Sequence, residues 1–179
     1  MGRDKASLPL GEQTLLQRVL AVVQPLFPVV LLSLRAPRPE IDLPQVCDTQ
    51  AAAGPLAGLA AGLAQARTGW IFAVATDMPF VQPAVITHLA TRRENASAET
   101  QAIVPVVDGH PQPLAAFYAK SCLPVVDELL AGDGKHSLRA LLARLDVLYV
   151  DAAELRAADP QLRSFFDLDT PADLAAATR

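Results

Sequence analysis

Cysteine is scarce in this 179-residue sequence, which holds only Cys47 and Cys122. Two cysteines cannot make a disulfide framework, and no Cys-x-x-Cys or Cys/His spacing is present to hold zinc. That scarcity predicts a reducing, cytoplasmic setting. Basic residues are not in excess either. Fifteen Lys and Arg stand against nineteen Asp and Glu, for a formal charge of −4. No global field therefore points to DNA, RNA or an anionic membrane, and a phosphate-bearing ligand must be held by local features. Long hydrophobic runs are missing as well. The most apolar stretch, residues 19–34, is interrupted by Gln24, Pro25 and Pro28, and falls short of the roughly 20 residues of a membrane span. Met1-Gly2-Arg3-Asp4-Lys5 is charged at once and does not read as a signal peptide. Gly2 after Met1 fits myristoylation, but Ala6 stands where that motif needs Ser or Thr. No GxGxxG, P-loop or Ser/His/Asp context is present, and no internal repeat.

What is there is a chain 51 % apolar and 19 % charged. That composition predicts one packed domain over residues 1–179, with a sizeable core and no intrinsic disorder. Leu15, Leu16, Val19, Leu20 and Val23 recur at spacings of three and four, so a helix is expected there, ended by Pro25. Val29 to Leu32 and Trp70 to Ala75 are continuous apolar runs and read as strands buried on both faces. Val46-Cys47, residues 102–107, 113–118 and 146–150 are further strand candidates, with Asp108-Gly109 as a turn signal. Helices are expected from Pro55, where the missing N–H costs nothing, from Pro83 to about Arg93, and over 121–131 and 137–143. Gly58 and Gly62, four apart on the Pro55 helix, predict close packing against a strand. Thr170-Pro171 reads as a helix start. Alternating strands and helices give an α/β fold with a mostly parallel sheet.

In such sheets, ligands bind beyond the carboxyl ends of the strands, so the residues closing each strand rank first. Asp77 follows the second apolar run and precedes Met78-Pro79. A carboxylate there can hold Mg²⁺ with most of the ion's waters kept for a nucleotide phosphate; equally it can cap the Pro83 helix or sit in a solvated turn. Asp48 can accept hydrogen bonds from ribose hydroxyls or a base edge, or be a turn aspartate. Asp167 and Asp169, two apart, would share one face of a strand, or simply lead into the Thr170 cap. Lys5 reads as solvated. Gly132-Asp133-Gly134-Lys135 lacks P-loop spacing. His88, His110 and His136 show no ligand spacing, although Pro111 and Pro113 make the His110 loop rigid. Phe165-Phe166 fits either oligomerisation or core packing.

Taken in order, Met1-Gly2-Arg3-Asp4-Lys5, Gly54-Pro55-Leu56-Ala57-Gly58-Leu59, Thr76-Asp77-Met78-Pro79-Phe80, His110-Pro111 and Asp167-Leu168-Asp169-Thr170-Pro171 resemble the molybdenum cofactor guanylyltransferase family, MobA, over nearly the whole chain. The resemblance implies a three-layer, Rossmann-like nucleotidyltransferase fold. It implies transfer of GMP from GTP to molybdenum-bound molybdopterin with release of pyrophosphate. Asp77 would be the Mg²⁺ ligand and Lys5 a contact to the nucleotide phosphates, the two forming the catalytic pair. Asp48 would bind the nucleotide and Ser33 would lie near the guanine. Asp167 and Asp169 match a motif usually written Asn-x-Asn-Thr-Pro and linked to molybdopterin, where aspartates add negative charge or help hold metal. The partners implied are GTP, molybdopterin and a molybdenum-insertion protein or molybdoenzyme chaperone, with no nucleic acid and no membrane. The family opens with a strand and a Leu-Ala-Gly-Gly loop running into Arg-Met-Gly. This sequence starts at that Met, so the first strand and the Gly-rich loop are expected to be missing and Met1 to be an internal position. Loss of that strand would leave unpaired backbone groups beside Val29–Leu32. Two other readings compete: a relative using CTP or another nucleotide or acceptor, and an inactive protein that binds molybdopterin or a partner.

Overall fold

The computed structural model describes residues 5–34, 36–47, 54–134 and 136–168. The first helix, α1 (Leu15–Val23), follows a small hairpin of β1 (Pro9–Leu10) and β2 (Gln13–Thr14). Thr14 starts the helix through a reciprocal cap: its hydroxyl accepts the Gln17 N–H, and the Gln17 side chain accepts the Thr14 N–H. Leu15, Leu16, Val19 and Val23 form the buried stripe that their spacing predicts.

Two strands follow, β3 (Leu32–Leu34) and β4 (Gln45–Cys47), paired in parallel with Ser33 opposite Val46. The strand expected at Val29–Leu32 is thus displaced toward its C-terminal end. Pro44 has no N–H to offer, so the ladder begins at Gln45, opposite Leu32. Val29 lies outside it, 69 % exposed. Nor is β3 buried on both faces: Leu32 is buried and Ser33 exposed.

After α2 (Gly54–Gln65), β5 (Trp70–Val74), α3 (Pro83–Glu94) and β6 (Ala102–Val107), the chain reverses at Asp108-Gly109. Both turn residues have positive φ, 50° and 75°, the geometry of a tight two-residue hairpin. The return strands are β7 (His110–Pro111) and β8 (Ala115–Ala119). Strand β8 inserts between β5 and β6, antiparallel to both. Beyond α4 (Leu123–Ala131) and α5 (Leu138–Leu142), β9 (Val147–Asp151) pairs in parallel with the other edge of β6, and α6 (Ala152–Leu155) follows directly. The five-stranded sheet, β5-β8-β6-β7 with β9 on β6, is therefore mixed rather than mostly parallel, and β3 and β4 pair apart from it. Among the described residues only β3·β4 and β6·β9 pair in parallel, because the Asp108-Gly109 hairpin sends the chain back along its own sheet. Strand β5 is half-buried throughout, not buried on both faces as its apolar run predicts.

The layers are three, as expected. Ile103, Ala115 and Phe117 face one side, against Val19 and Val23 of α1 and Val85, Ile86 and Leu89 of α3. Ala102, Val104, Ala116 and Tyr118 face the other, against α2, α4 and α5. The period-two alternation of β6 and β8 builds both interfaces. Leu56 and Leu63 of α2 are fully buried, each contributing about 1.5–3 kcal/mol. No described helix is long and apolar enough to cross a membrane.

Candidate functional site

Strand β5 ends at Val74, and the chain turns at once through Ala75-Thr76-Asp77-Met78. The Ala75 N–H is held by the Leu114 carbonyl, and the Met78 N–H by the Ala75 carbonyl. Met78 and Val81 are buried anchors at 2 % exposure. Asp77 is half-buried between these fixed points. One alternative for Asp77 can now be removed. The residue capping α3 is Gln82, and it does so without a side-chain bond, so the Asp77 carboxylate does not serve as that cap.

The Asp167 segment meets the Asp77 turn through the backbone. The Leu168 N–H donates to the Asp77 carbonyl at 3.0 Å. Leu168 itself is buried with Leu10 and Leu15, so the segment is locked beside the Asp77 turn from both backbone and side chain. Residues 166–168 form no strand; the shared-face argument for Asp167 is replaced by this tether. Asp167 is exposed. Asp169 and the predicted helix at Thr170 lie outside the described residues.

Ser33, in the middle of β3, faces α2. A Cβ placed on Gly58 would stand 2.8 Å from the Ser33 hydroxyl oxygen, and one on Gly62 would stand 3.6 Å from Ile71 of β5. Gly58 thus allows the close approach to a strand that the spacing predicts, whereas a Cβ at Gly62 would make only ordinary contact with β5. Cys47, the last residue of β4 and opposite Leu34, leads into Asp48, which lies outside the described residues. Lys5 opens a 3₁₀ turn, Lys5–Ser7, though its side chain is likewise outside them. The neighbouring Ala6 is buried against Leu16 and Leu32, which brings that turn to α1 and β3. The structure therefore joins Asp77 with the Asp167 segment, and Ser33 with the Gly58 helix.

Other candidates fall away from the site. Gly132 caps the C-terminus of α4, and Lys135 lies outside the described residues. His110 is exposed, with Nδ1 against its own turn at the Asp108 carbonyl. His136 reaches back to the Gly132 carbonyl, and His88 pairs with Glu154 at 3.7 Å. Among the described residues no three His, Cys, Asp or Glu cluster as metal ligands. Burial pushes the Cys122 thiol up to about 11, and it donates to the Gln101 carbonyl; it is not a nucleophile.

Sequence reasoning missed a cavity of about 480 Å³ next to this turn, lined by Phe80, Asp108, Arg156, Arg163, Phe165 and Phe166 among others. Its shape depends on a buried clamp. Ser164 donates its N–H and its hydroxyl to Asp159, and accepts the Gln82 N–H. Burial alone would raise the Asp159 pKa, but the hydrogen bonds from Ser164, Arg163 and Gln161 outweigh it and hold the carboxyl below its usual value. Phe165 and Phe166, adjacent in sequence, part company here: one is buried and the other 41 % exposed.

With this geometry in view, residues 1–148 match the family model of the MobA-like NTP transferase domain. The chain belongs to that family. MobA-like relatives agree over nearly all of its length. A "probable molybdenum cofactor guanylyltransferase" of Methanosarcina mazei is 33 % identical over 184 residues, covering 96 % of this chain and 80 % of the relative. The solved molybdopterin-guanine dinucleotide biosynthesis protein A of Archaeoglobus fulgidus has a TM-score of 0.85 and 31 % identity, covering 99 % of this chain and 90 % of that one. The 2-C-methyl-D-erythritol 4-phosphate cytidylyltransferase of Thermus thermophilus has a TM-score of 0.66 at 18 % identity, covering 97 % of this chain and 92 % of that one, and shares the fold.

Proposed function

We propose that this chain transfers GMP from GTP to the terminal phosphate of molybdenum-bound molybdopterin. The observation that carries the reading is the Leu168-to-Asp77 bond, which sets two acidic segments together at the carboxyl end of β5 in a MobA-like chain. An oxygen of the acceptor phosphate attacks the α-phosphorus of GTP. The new P–O bond forms as the bond to the bridging oxygen breaks, and pyrophosphate leaves. Two anions meet, so the chain's task is positioning and charge compensation rather than covalent catalysis.

The donor set fits a hard divalent cation, since Mg²⁺ is commonly held by one or two carboxylates together with phosphates and waters. Asp77 would hold it, with Asp167 or Asp169 as the second carboxylate or on the molybdopterin side. A bound Mg²⁺ supplies charge neutralisation at the phosphate oxygens. Lys5 would stabilise the departing pyrophosphate as a point charge. Asp48 would accept hydrogen bonds from the nucleotide, and Ser33 would face the guanine. In this reading residues 1–179 act as one domain in the cytoplasm. GTP and molybdopterin are its ligands, a molybdenum-insertion protein or molybdoenzyme chaperone is its partner, and it binds no nucleic acid.

Asp77→Asn tests the metal role. Pyrophosphate release from GTP with molybdopterin and Mg²⁺ should fall about a thousandfold, the equivalent of about 4 kcal/mol, with the melting temperature within a few degrees of the parent. Full turnover in this variant would remove Asp77 from the chemistry.

A further inference from the structure

The link from β3 to β4 contains Pro37, Pro39 and Pro44. Proline has no N–H to donate, so these positions give the loop no ladder of its own. A side chain closes it instead. Gln45, the half-buried first residue of β4, accepts the Arg38 N–H through Oε1 at 2.8 Å. Its Nε2 donates to the Arg38 carbonyl at 2.7 Å and to the Ile41 carbonyl at 3.0 Å. Both ends of the Gln45 amide are thus spent on this loop. The loop in turn reaches the start of the chain. Arg38 Nη1 donates to the Ser7 hydroxyl at 3.1 Å, and Ser7 closes the Lys5–Ser7 turn. Ile41 and Leu43 pack against the cluster of Ala6, Leu16 and Leu32. Between the loop and α1 lies a cavity of about 430 Å³, lined by Gln17, Gln24, Glu40 and Asp42 among others. The loop therefore does not pack closely on α1 there, and the Gln45 bonds fix its shape.

Ala6 and Ser7 are the two residues after Lys5. The first is buried in the small cluster and the second is bound by Arg38, so the turn that carries Lys5 is held from its apolar and its polar side. A lysine is a point charge on a flexible four-carbon stem. Where that charge can stand depends on where its backbone is held, and a misplacement of about 1 Å can cost about a hundredfold in rate. We propose that Gln45 and Arg38 are positioning residues for Lys5. Gln45 sets the shape of the loop, and Arg38 braces the Lys5 turn from it. The inference rests on the guanylyltransferase reading and deepens it, because it names what holds the cation that meets the departing pyrophosphate. Arg38 and Gln45 act through Lys5 and not on the nucleotide.

The test compares nucleotides with and without the leaving pyrophosphate, on the full chain in Mg²⁺. Calorimetry measures GTP and GMP, and backbone ¹⁵N order parameters follow the Ala6 and Ser7 amides. Arg38→Met keeps the aliphatic stem and removes the donors, and Gln45→Met keeps the length and removes both amide functions. Each should weaken GTP about tenfold, the effect of losing one charged hydrogen bond, and leave GMP within about twofold. Arg38→Lys, which keeps a donor for Ser7, should return GTP affinity to within about threefold of the parent. Order parameters at Ala6 and Ser7 should fall from about 0.85 towards about 0.6 in the two Met variants, with those of α2 unchanged. Lys5→Met should lose GTP affinity to a similar extent, and adding Arg38→Met to it should cost nothing further, because both act through one charge. Unchanged order parameters, parent-like GTP affinity in Arg38→Met, or additive losses in the double variant overturn the proposal. So does an equal loss of GMP affinity, which would make the brace a general support of the fold. Failure of the guanylyltransferase reading looks different: the parent itself would not bind GTP, although the order parameters would still respond.

Discussion

Gly58 and Ser33 show how closely one residue can depend on another across the fold. The helix approaches the strand so tightly that a methyl group on Gly58 would lie 2.8 Å from the Ser33 hydroxyl oxygen. Gly58 is helical, so alanine gains about 1 kcal/mol of helix propensity, and the serine hydroxyl can swing to another rotamer. Gly58→Ala should therefore keep its melting temperature within a few degrees while weakening GTP about as much as Ser33→Ala does. The double variant should be no worse than Ser33→Ala alone, the signature of coupled neighbours. Calorimetry on the three variants checks this; parent-like affinity in both single variants would remove Ser33 from the nucleotide site. At this scale the position of Asp77 was legible, because it closes an apolar run before Met78-Pro79. Arg163 was not. Its meaning comes from the ring of Phe80, and no spacing in the sequence joins residues that far apart.

The turn from Asp159 to Phe165 is short, yet it holds one wall of the cavity. Ser164 is bonded to Gln82 across 82 positions, so neither local propensity nor periodicity reveals it. Helices with a strong apolar period, such as α1, were legible nearly to the residue. Strands were legible in position but not in partner, since Pro44 shortens β3 and the Asp108-Gly109 hairpin turns β8 antiparallel. The clamp also makes a pH prediction. The hydrogen bonds from Ser164, Arg163 and Gln161 hold the folded Asp159 carboxyl below its ordinary pKa. Its contribution is thus complete above the unfolded value and is lost as pH falls through the lower folded one. Asp159→Ala should cost about 2–3 kcal/mol at pH 7, leaving the Ser164 N–H and hydroxyl without acceptors. Its denaturation midpoint should fall less steeply than the parent's from pH 5 to pH 2. Parallel pH profiles would show that Asp159 is not the group titrating there.

At the scale of the whole molecule, helices cover both faces of the mixed five-stranded sheet, and α2 packs on both β3 and β5, most closely at Gly58. That frame ties β3 to β5 through α2, and the Leu168-to-Asp77 bond ties the Asp167 segment to the carboxyl end of β5. The negative net charge leaves anion binding to local groups, the role proposed for Lys5. The central claim is that this frame captures GTP for transfer. Its most direct test is calorimetric titration of the 179-residue chain with GTP in the presence of Mg²⁺, with CTP as the control. The account predicts saturable, Mg²⁺-dependent GTP binding at least about tenfold tighter than CTP. Absence of GTP binding, or equal affinity for CTP, would contradict it.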